Sequence, residues 1–241
     1  MRFFGWIIIC VIFFSVSISY GQTDSTQWPD RISISMALGA SKPLNAFDRK
    51  YSGTPWSVSV QMGIKPNQDR FQFIEFDFNY QRLTEYQNIF PIQSPQGGLI
   101  DINHSTRSNL LFLGAGYRYE FDQFWYIIPK VSLSFGGCNA YVFTSLRDNF
   151  TDEVIENYRQ ASDWSYYSSL QMGCSIPVYP GVQISFCMNY LNSGSLNIFL
   201  PRQDVLNPPP VDPFNNFELR RSVINLLAIE IGVTLYLRNF N

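Results

Sequence analysis

The sequence predicts an all-β fold, an eight-stranded antiparallel up-and-down transmembrane β-barrel. Three observations predict it: eight segments alternate apolar with polar residues, the connections between them alternate between short and long, and the polar face is rich in small residues. Successive side chains of a strand point to opposite faces, and segments of about ten alternating residues are typical of barrels that span a membrane.

The eight alternating segments extend through residues 32–237. Each has apolar residues at every second position and polar or small residues between them, which indicates a strand with two different faces. The eighth is the most regular, with an apolar side chain at each odd position from Leu227 to Leu237. In chain order the segments are 32–39, 56–64, 74–81, 109–119, 127–135, 164–176, 182–190 and 227–237.

Short and long connections alternate along the chain without exception. The short ones are residues 65–69, 121–124 and 177–181, and the long ones are residues 40–55, 83–108, 137–163 and 191–221. An up-and-down barrel places all connections of one kind at the same end. The sequence therefore predicts four long outside loops and three short periplasmic turns. Within the long connections, residues 148–160 have some helical character, and 207–213 form a stiff proline segment.

The polar face of each segment is predicted to line the interior. It contains most of the glycines of the segments, and glycine suits positions that another group approaches closely. The interior of an eight-stranded barrel is just wide enough to be filled by side chains, so small residues leave room for a few long ones. Six charged residues share this face and predict a buried ion network in the lumen: Glu75, Asp77, Arg118, Glu120, Lys130 and Glu230.

Aromatic residues lie near both ends of the predicted strands. Amphipathic rings favour the boundary between lipid and water, so two such bands predict the aromatic girdles of a membrane barrel. The band at the long-loop end contains Trp56, Tyr80, Trp164 and Tyr190, and the band at the short-turn end contains Tyr117, Tyr119, Trp125, Tyr126 and Tyr179.

The N-terminus has the features of a signal peptide. Arg2 is followed by an apolar run to Ile18, and small residues at positions 19 and 21 fit a cleavage site before Gln22. We expect residues 1–21 to be the signal peptide, 22–30 a short periplasmic segment and 31–241 an outer-membrane barrel domain. The formal net charge of −2 does not favour nucleic acid as a partner.

Three features resemble the outer-membrane β-barrel domain family of Gram-negative bacteria, which includes OmpA-type and PorT-like small barrels. They are the alternating segments, the signal cleavage region at Tyr20-Gly21-Gln22, and the last strand through residues 232–238. The resemblance covers about residues 30–241. It implies outer-membrane lipid as the surroundings, and the aromatic Phe240 resembles the signal read by the barrel insertion machinery. The family's roles are mixed, and include envelope integrity, adhesion and assistance in secretion.

Function is predicted less sharply than fold. The favoured hypothesis is a structural or interaction protein that acts through its outside loops or through an envelope or secretion partner, and is not an enzyme. A lipid-modifying barrel enzyme and a narrow porin-like pore are the alternatives. A soluble secreted lipid-binding barrel, with its apolar face inward, is the alternative fold.

Candidate catalytic and metal-binding residues are few. The single histidine, His104, adjoins Ser105 in a long connection, which is not the His-x-Ser spacing of a deacylase barrel, so a solvated loop histidine is predicted. Cys138, Cys174 and Cys187 match no metal-binding spacing, and a bridge between the last two is disfavoured because they fall on opposite strand faces. The sequence therefore predicts no catalytic residues, no cofactor and no metal.

Overall fold

A computed structural model describes residues 32–48, 54–66, 72–93, 98–201 and 217–237. In this part of the chain eight antiparallel strands form one closed barrel, in which each strand pairs with its neighbours in sequence and the first closes against the last. The predicted eight-stranded up-and-down barrel is confirmed. The strands are β1 (Ile32–Pro43), β2 (Trp56–Ile64), β3 (Gln72–Gln93), β4 (Leu99–Glu120), β5 (Ile128–Asp148), β6 (Val154–Tyr179), β7 (Val182–Pro201) and β8 (Phe217–Leu237).

The pairing register matches polar with polar and apolar with apolar positions. At the closure of the barrel, Ser35 of β1 lies opposite Thr234 of β8, and the next residue, Met36, lies opposite Val233. A slip of one residue would turn every apolar side chain of a strand to the other face, so the alternation in the sequence fixes this register.

The predicted signal peptide and the segment to residue 30 lie outside the described residues.

Strands β3 to β8 are much longer than the alternating segments predicted. They contain 20 to 26 residues each, and the described parts of three predicted long connections, 83–108, 137–163 and 191–221, are largely strand. The physical reason is a set of bulges, at Arg82/Thr84 in the β3–β4 pair, Val142/Phe143 in the β5–β6 pair and Asn192/Ser195 in the β7–β8 pair. Each bulge shifts the register and interrupts the period of two on which the strand prediction depends.

The outer parts of β3 to β8 form three antiparallel pairs that we call the outer hairpins (residues 83–93 with 98–108, residues 140–163, and residues 193–201 with 217–225). Strands β1 and β2 are short, so β3 and β8 have no strand partner on that side within the described part of the outer hairpins. The only helix described, α1 (Asn45–Asp48), follows β1 at this position. It lies against β8, and the amide of Leu44 donates to the carbonyl of Asn225 at 2.9 Å.

The prediction of a short helix within residues 148–160 is wrong. The turn at residues 149–153 joins β5 to β6, and β6 begins at Val154 and pairs with β5. Residues 154–160 thus continue the sheet, and only residues 149–153 form the connection. Within the described residues, no helix is long and apolar enough to cross a membrane.

Candidate functional site: the barrel interior and the outer hairpins

The half of the barrel next to the short turns has a polar interior and an apolar outer surface. Apart from apolar residues such as Phe73 and Cys187, the buried side chains there are polar or charged and include Ser33, Ser35, Ser57, Ser59, Glu75, Asn79, Arg118, Ser132, Gln171, Ser185 and Thr234. The large exposed side chains are apolar and include Met36, Leu38, Met62, Ile74, Phe76, Phe78, Leu133, Phe135, Met172, Phe186 and Ile231. The alternative barrel with its apolar face inward therefore does not describe this half of the molecule.

Arg118 lies at the centre of the polar interior. Its Nη1 donates to Glu75 Oε1 at 2.7 Å and its Nη2 donates to Ser33 Oγ at 2.6 Å, while Nε forms an ion pair with Glu120 Oε1 at 3.2 Å. The guanidinium also stacks over the ring of Phe73, 4.3 Å from the centroid. The side chains of Arg118 and Glu75 are 1% and 0% exposed, so this ion pair is fully removed from bulk water.

The reach of Arg118 depends on a glycine. Arg118 belongs to β4 and contacts Ser33 of β1, so its side chain crosses the interior in front of β2. A Cβ on Gly63 of β2 would lie 2.9 Å from Arg118 Nη2. Glycine at this position therefore leaves the space in which the guanidinium lies, as expected where another group approaches the strand closely.

Glu230 is held by neutral donors from three other strands. Asn79 Nδ2 donates to its Oε1 at 3.1 Å, and Gln171 Nε2 and Ser59 Oγ donate to its Oε2 at 3.3 and 3.4 Å. Because a buried carboxylate needs hydrogen bonds in place of water, these amides and the hydroxyl take the role that a cation was expected to fill.

The remaining predicted lumen charges also meet neutral groups. Lys130 Nζ donates to Ser185 Oγ at 3.0 Å, and the hydroxyl of Tyr167 donates to Asp77 Oδ2. Glu120 additionally accepts from the hydroxyl of Tyr236 at 2.6 Å. All six predicted residues thus face the interior, but they form an Arg118-centred cluster and separate polar contacts rather than one chain of ion pairs.

Sequence reasoning missed the neutral partners of these charges. Tyr167 and Tyr236 lie in phase with the polar residues of their strands, Tyr167 with Ser169 and Tyr236 with Thr234. Their phase was therefore a usable signal. A tyrosine in the polar phase can satisfy a buried carboxylate through its hydroxyl.

We expect replacement of Lys130 by methionine to destabilise the barrel without opening a channel. The variant removes a buried charged donor from Ser185, so the free energy of unfolding should fall by about 1.5–3 kcal/mol, the usual range for a hydrogen bond to a charged group. Urea unfolding in lipid vesicles measures this loss, and planar-bilayer recording measures conductance. A stable channel in the variant with unchanged stability would contradict the prediction.

The interior becomes apolar toward the outer hairpins. Phe112 and Tyr167 pack edge to face with ring centroids 5.2 Å apart, and the hydroxyl of Tyr167 then reaches Asp77 in the polar half. This outer core fills the barrel with closely packed side chains at the level where the hairpins begin. It consists of Phe47, Leu83, Leu110, Phe112, Cys138, Ala140, Tyr167, Leu191, Leu196, Ile198, Ile224 and Leu226.

The three described cysteines carry free thiols. Cys138 lies in the outer core, where it packs as a small apolar residue. Cys187 of β7 is buried and pairs with Gly173 of β6. Cys174 is the next residue of β6 and pairs with Phe186, so Cys174 and Cys187 lie on different faces of the sheet. Among the described residues, no three His, Cys, Asp or Glu side chains are close enough together to hold a metal ion.

The prediction that His104 is a solvated loop residue is wrong. His104 belongs to β4 and is 4% exposed, with its Nε2 3.3 Å from Thr106 Oγ1. The Thr106 hydroxyl in turn contacts Thr144 Oγ1 at 3.0 Å, so the histidine lies in a polar cluster of two neighbouring strands. Burial lowers the pKa of His104, which favours the neutral imidazole. Ser105 points to the other face of β4 and donates to Glu85 at 3.0 Å.

Glu85 is the centre of a polar cluster on the outer surface of the β3–β4 hairpin. It accepts from Arg82 Nη1 at 2.6 Å, Arg107 Nε at 2.7 Å, Gln87 Nε2 at 2.9 Å and Ser105 Oγ at 3.0 Å. Partial burial alone would raise the pKa of Glu85. The hydrogen bonds from Arg107, Gln87 and Ser105 outweigh burial and hold that pKa below its usual value.

This lowered pKa predicts an acid-sensitive contribution to stability. The contribution of Glu85 is fully present above the usual carboxyl pKa and is lost as the pH falls through the lower folded value. Because the cluster is partly exposed, we expect less than about 1 kcal/mol. Unfolding in urea at pH 7 and pH 3 should show a smaller acid-induced loss for Glu85→Gln than for the unmodified protein. Equal losses would show that Glu85 contributes nothing.

The predicted girdle residues lie at the two ends of the polar half. At the hairpin end, the Tyr80 hydroxyl donates to Asn109 Oδ1 at 2.6 Å, and Trp56 packs edge to face on Tyr80 with centroids 5.6 Å apart. At the turn end, Tyr119 packs on Phe121 with centroids 4.8 Å apart. Of the remaining predicted girdle residues, Tyr190 is half-buried, and the exposed ones are Tyr117, Trp125, Tyr126, Trp164 and Tyr179. Their place at a lipid boundary stays a prediction.

Solved structures similar to this chain include those of three bacterial proteins. Neisserial surface protein A matches with 14% identity and a TM-score of 0.46, over 86% of this chain and 97% of its own. Ail, the attachment invasion locus protein of Yersinia pestis, matches with 12% identity and a TM-score of 0.42, over 86% and 96%. A major outer membrane protein from Thermus thermophilus matches with 12% identity and a TM-score of 0.40, over 86% and 99%.

No protein-family model and no curated protein sequence matches the chain. The expected closed antiparallel barrel of eight strands is confirmed by the pairing of the strands. The likeness to the solved structures does not distinguish OmpA-type from PorT-like barrels, and it transfers no binding residue or activity.

Proposed function

We propose that this protein is an outer-membrane barrel with a structural or interaction role, which acts through its outer hairpins. One observation carries the proposal: the polar half of the barrel buries serines, amides and charges, while its outer surface exposes methionine, leucine, isoleucine and phenylalanine. Removing a large apolar side chain from water is worth about 1.5–3 kcal/mol, so a belt of such residues is stable only against acyl chains or another apolar surface.

The length of the strands supports an external role for the hairpins. A tilted strand crosses a bilayer in about 9–11 residues. Strands β3 to β8 contain 20 to 26 residues, so roughly half of each projects beyond the membrane as part of an outer hairpin. Rigid surface elements on a stable scaffold are a common location for recognition.

The interior supports a closed barrel better than a pore. Side chains of the outer core are buried and pack against one another at the hairpin end, and the Arg118 cluster occupies the polar half. Solutes would have to displace both. Solutes that pass through the barrel are therefore not the partners that we propose. We propose outer-membrane lipid, the barrel insertion machinery and an envelope or secretion protein as partners.

Fractionation tests the membrane location. We expect the expressed protein to sediment with outer membranes, to need detergent for extraction and to migrate differently on gels before and after heating. A protein that stays monodisperse in detergent-free buffer with its apolar belt shielded from water would overturn the proposal.

A trimmed variant tests the role of the hairpins. Val142 lies directly opposite Ala161, so replacing residues 143–160 with an Asn-Gly turn shortens one hairpin and keeps the register. In a gene-deletion strain, we expect the full chain to restore the envelope, adhesion or secretion defect and the trimmed chain to fail, although both show the heat-dependent gel shift. Full restoration by the trimmed chain would remove this hairpin from the function.

A further inference from the structure

The β5–β6 hairpin ends in an exposed phenylalanine. Phe150 lies in the turn between the two strands and is 80% exposed. Val154 and Ile155, at the start of β6, are also large exposed apolar residues. We call these three residues the tip patch. They lie at the far end of an outer hairpin, many residues beyond the apolar belt, so contact with the acyl chains around the barrel does not account for their exposure.

The turn holds Phe150 in a defined position. The carboxylate Oδ1 of Asp148 accepts from the amides of Phe150 at 2.7 Å and Thr151 at 3.1 Å. The amide of Asn149 donates to the carbonyl of Asp101 at 2.9 Å, which ties the turn to β4. A side chain presented by an ordered backbone loses less conformational entropy on binding than one on a flexible loop, so this geometry suits an anchor residue.

Charges around the tip patch are mainly negative. Residues 147–156 contain one arginine and four carboxylates, a formal charge of −3. Asp152 pairs with Arg147 at 3.2 Å, whereas Glu153 and Glu156 are exposed. The amides of Thr151 and Phe150 lower the pKa of Asp148, which keeps it ionised at neutral pH. Such a tip is repelled by an anionic lipid surface and complements a basic one.

We propose that the tip patch is a docking site for a protein partner that offers an apolar pocket bordered by lysine and arginine. The inference rests on the proposed function and specifies the chemistry of the partner. Phe150 fills the pocket, and the surrounding carboxylates, with Glu153 and Glu156 the least constrained, pair with the basic border.

Peptide selection on the barrel in phosphatidylcholine nanodiscs tests the proposal. A random 12-residue display library is selected against the full chain, and empty nanodiscs remove lipid binders. We expect enriched peptides to combine net positive charge with aliphatic or aromatic residues. Their affinity should fall at least tenfold on Phe150→Ser and at least tenfold on the double change Glu153→Lys and Glu156→Lys, which leaves the hydrogen bonds of the Asp148 carboxylate in place.

Phe124→Ser is the matched control, because Phe124 is an exposed phenylalanine at the short-turn end of the barrel. The enriched peptides should bind this variant as they bind the unmodified protein. The proposal is overturned if no peptide is enriched, if the enriched peptides are acidic, or if they bind Phe150→Ser equally well. It is also overturned if Phe150 instead mediates binding to vesicles of phosphatidylglycerol. Each of these results leaves the membrane location intact, which fractionation tests separately.

Discussion

Replacing Arg118 with methionine is expected to lower the free energy of unfolding by about 3–5 kcal/mol. The variant leaves the carboxylates of Glu75 and Glu120 in the interior without their cation, and Glu75 is fully buried. An uncompensated buried charge is strongly destabilising, because neither water nor a partner solvates it. Urea unfolding of the barrel in lipid vesicles measures the loss.

Two further variants separate this effect from loss of packing. Adding Glu75→Gln to Arg118→Met removes the more deeply buried of the two unpaired carboxylates, so the double variant should be more stable than Arg118→Met alone. Arg147→Met makes the same change in the exposed pair with Asp152, and there we expect at most about 1 kcal/mol. Additive losses in the double variant would show that the Arg118–Glu75 pair carries no coupling energy.

An arginine in place of Ile231 is expected to destabilise the barrel by about 2–4 kcal/mol, the cost of a cation on the lipid-facing surface near the middle of a bilayer. Ile231 is 56% exposed and lies opposite Leu38 and Phe186, which are also exposed apolar residues. In water, arginine would be tolerated at such a position. Unfolding in vesicles measures the cost.

Leu219→Arg is the control on the same strand. Leu219 is 57% exposed, nearly the same as Ile231, but lies in an outer hairpin. The two positions are about 40 Å apart along β8 at the usual rise per residue, more than a bilayer core is thick. We expect Leu219→Arg to change stability by at most about 0.5 kcal/mol. Equal effects at both positions would mean that Ile231 does not face lipid.

The sequence predicts the polar half of the barrel because an apolar outer face and a polar interior impose a strict period of two there. Ile74, Phe76 and Phe78 lie outside and Glu75 and Asn79 inside, as their alternation requires. Beyond the belt, bulges break the period in β3, β6 and β7, and the inward face becomes apolar. The outer hairpins were therefore predicted as loops although they are paired strands.

The outer core could have been predicted in part. Leu110 and Phe112 lie in phase with Gly114 on the inward face of β4, which indicates an apolar interior at that level. The pairing of the interior charges could not be predicted from one strand at a time. Glu230 of β8 meets Asn79 of β3, a contact across the barrel that only closure of the sheet creates.

Contacts between lipid and methyl groups test the central claim. This claim is that the apolar outer surface of the polar half faces the acyl chains of a membrane, while the polar side chains line the interior of the barrel. Nuclear Overhauser effects in nanodiscs report which methyl groups touch acyl chains. We expect cross peaks from acyl methylene protons to Ile74, Leu133 and Ile231, and none to Ile224 or Leu226 of the outer core. Acyl-chain cross peaks to the outer core, or their absence from the belt, would contradict the account.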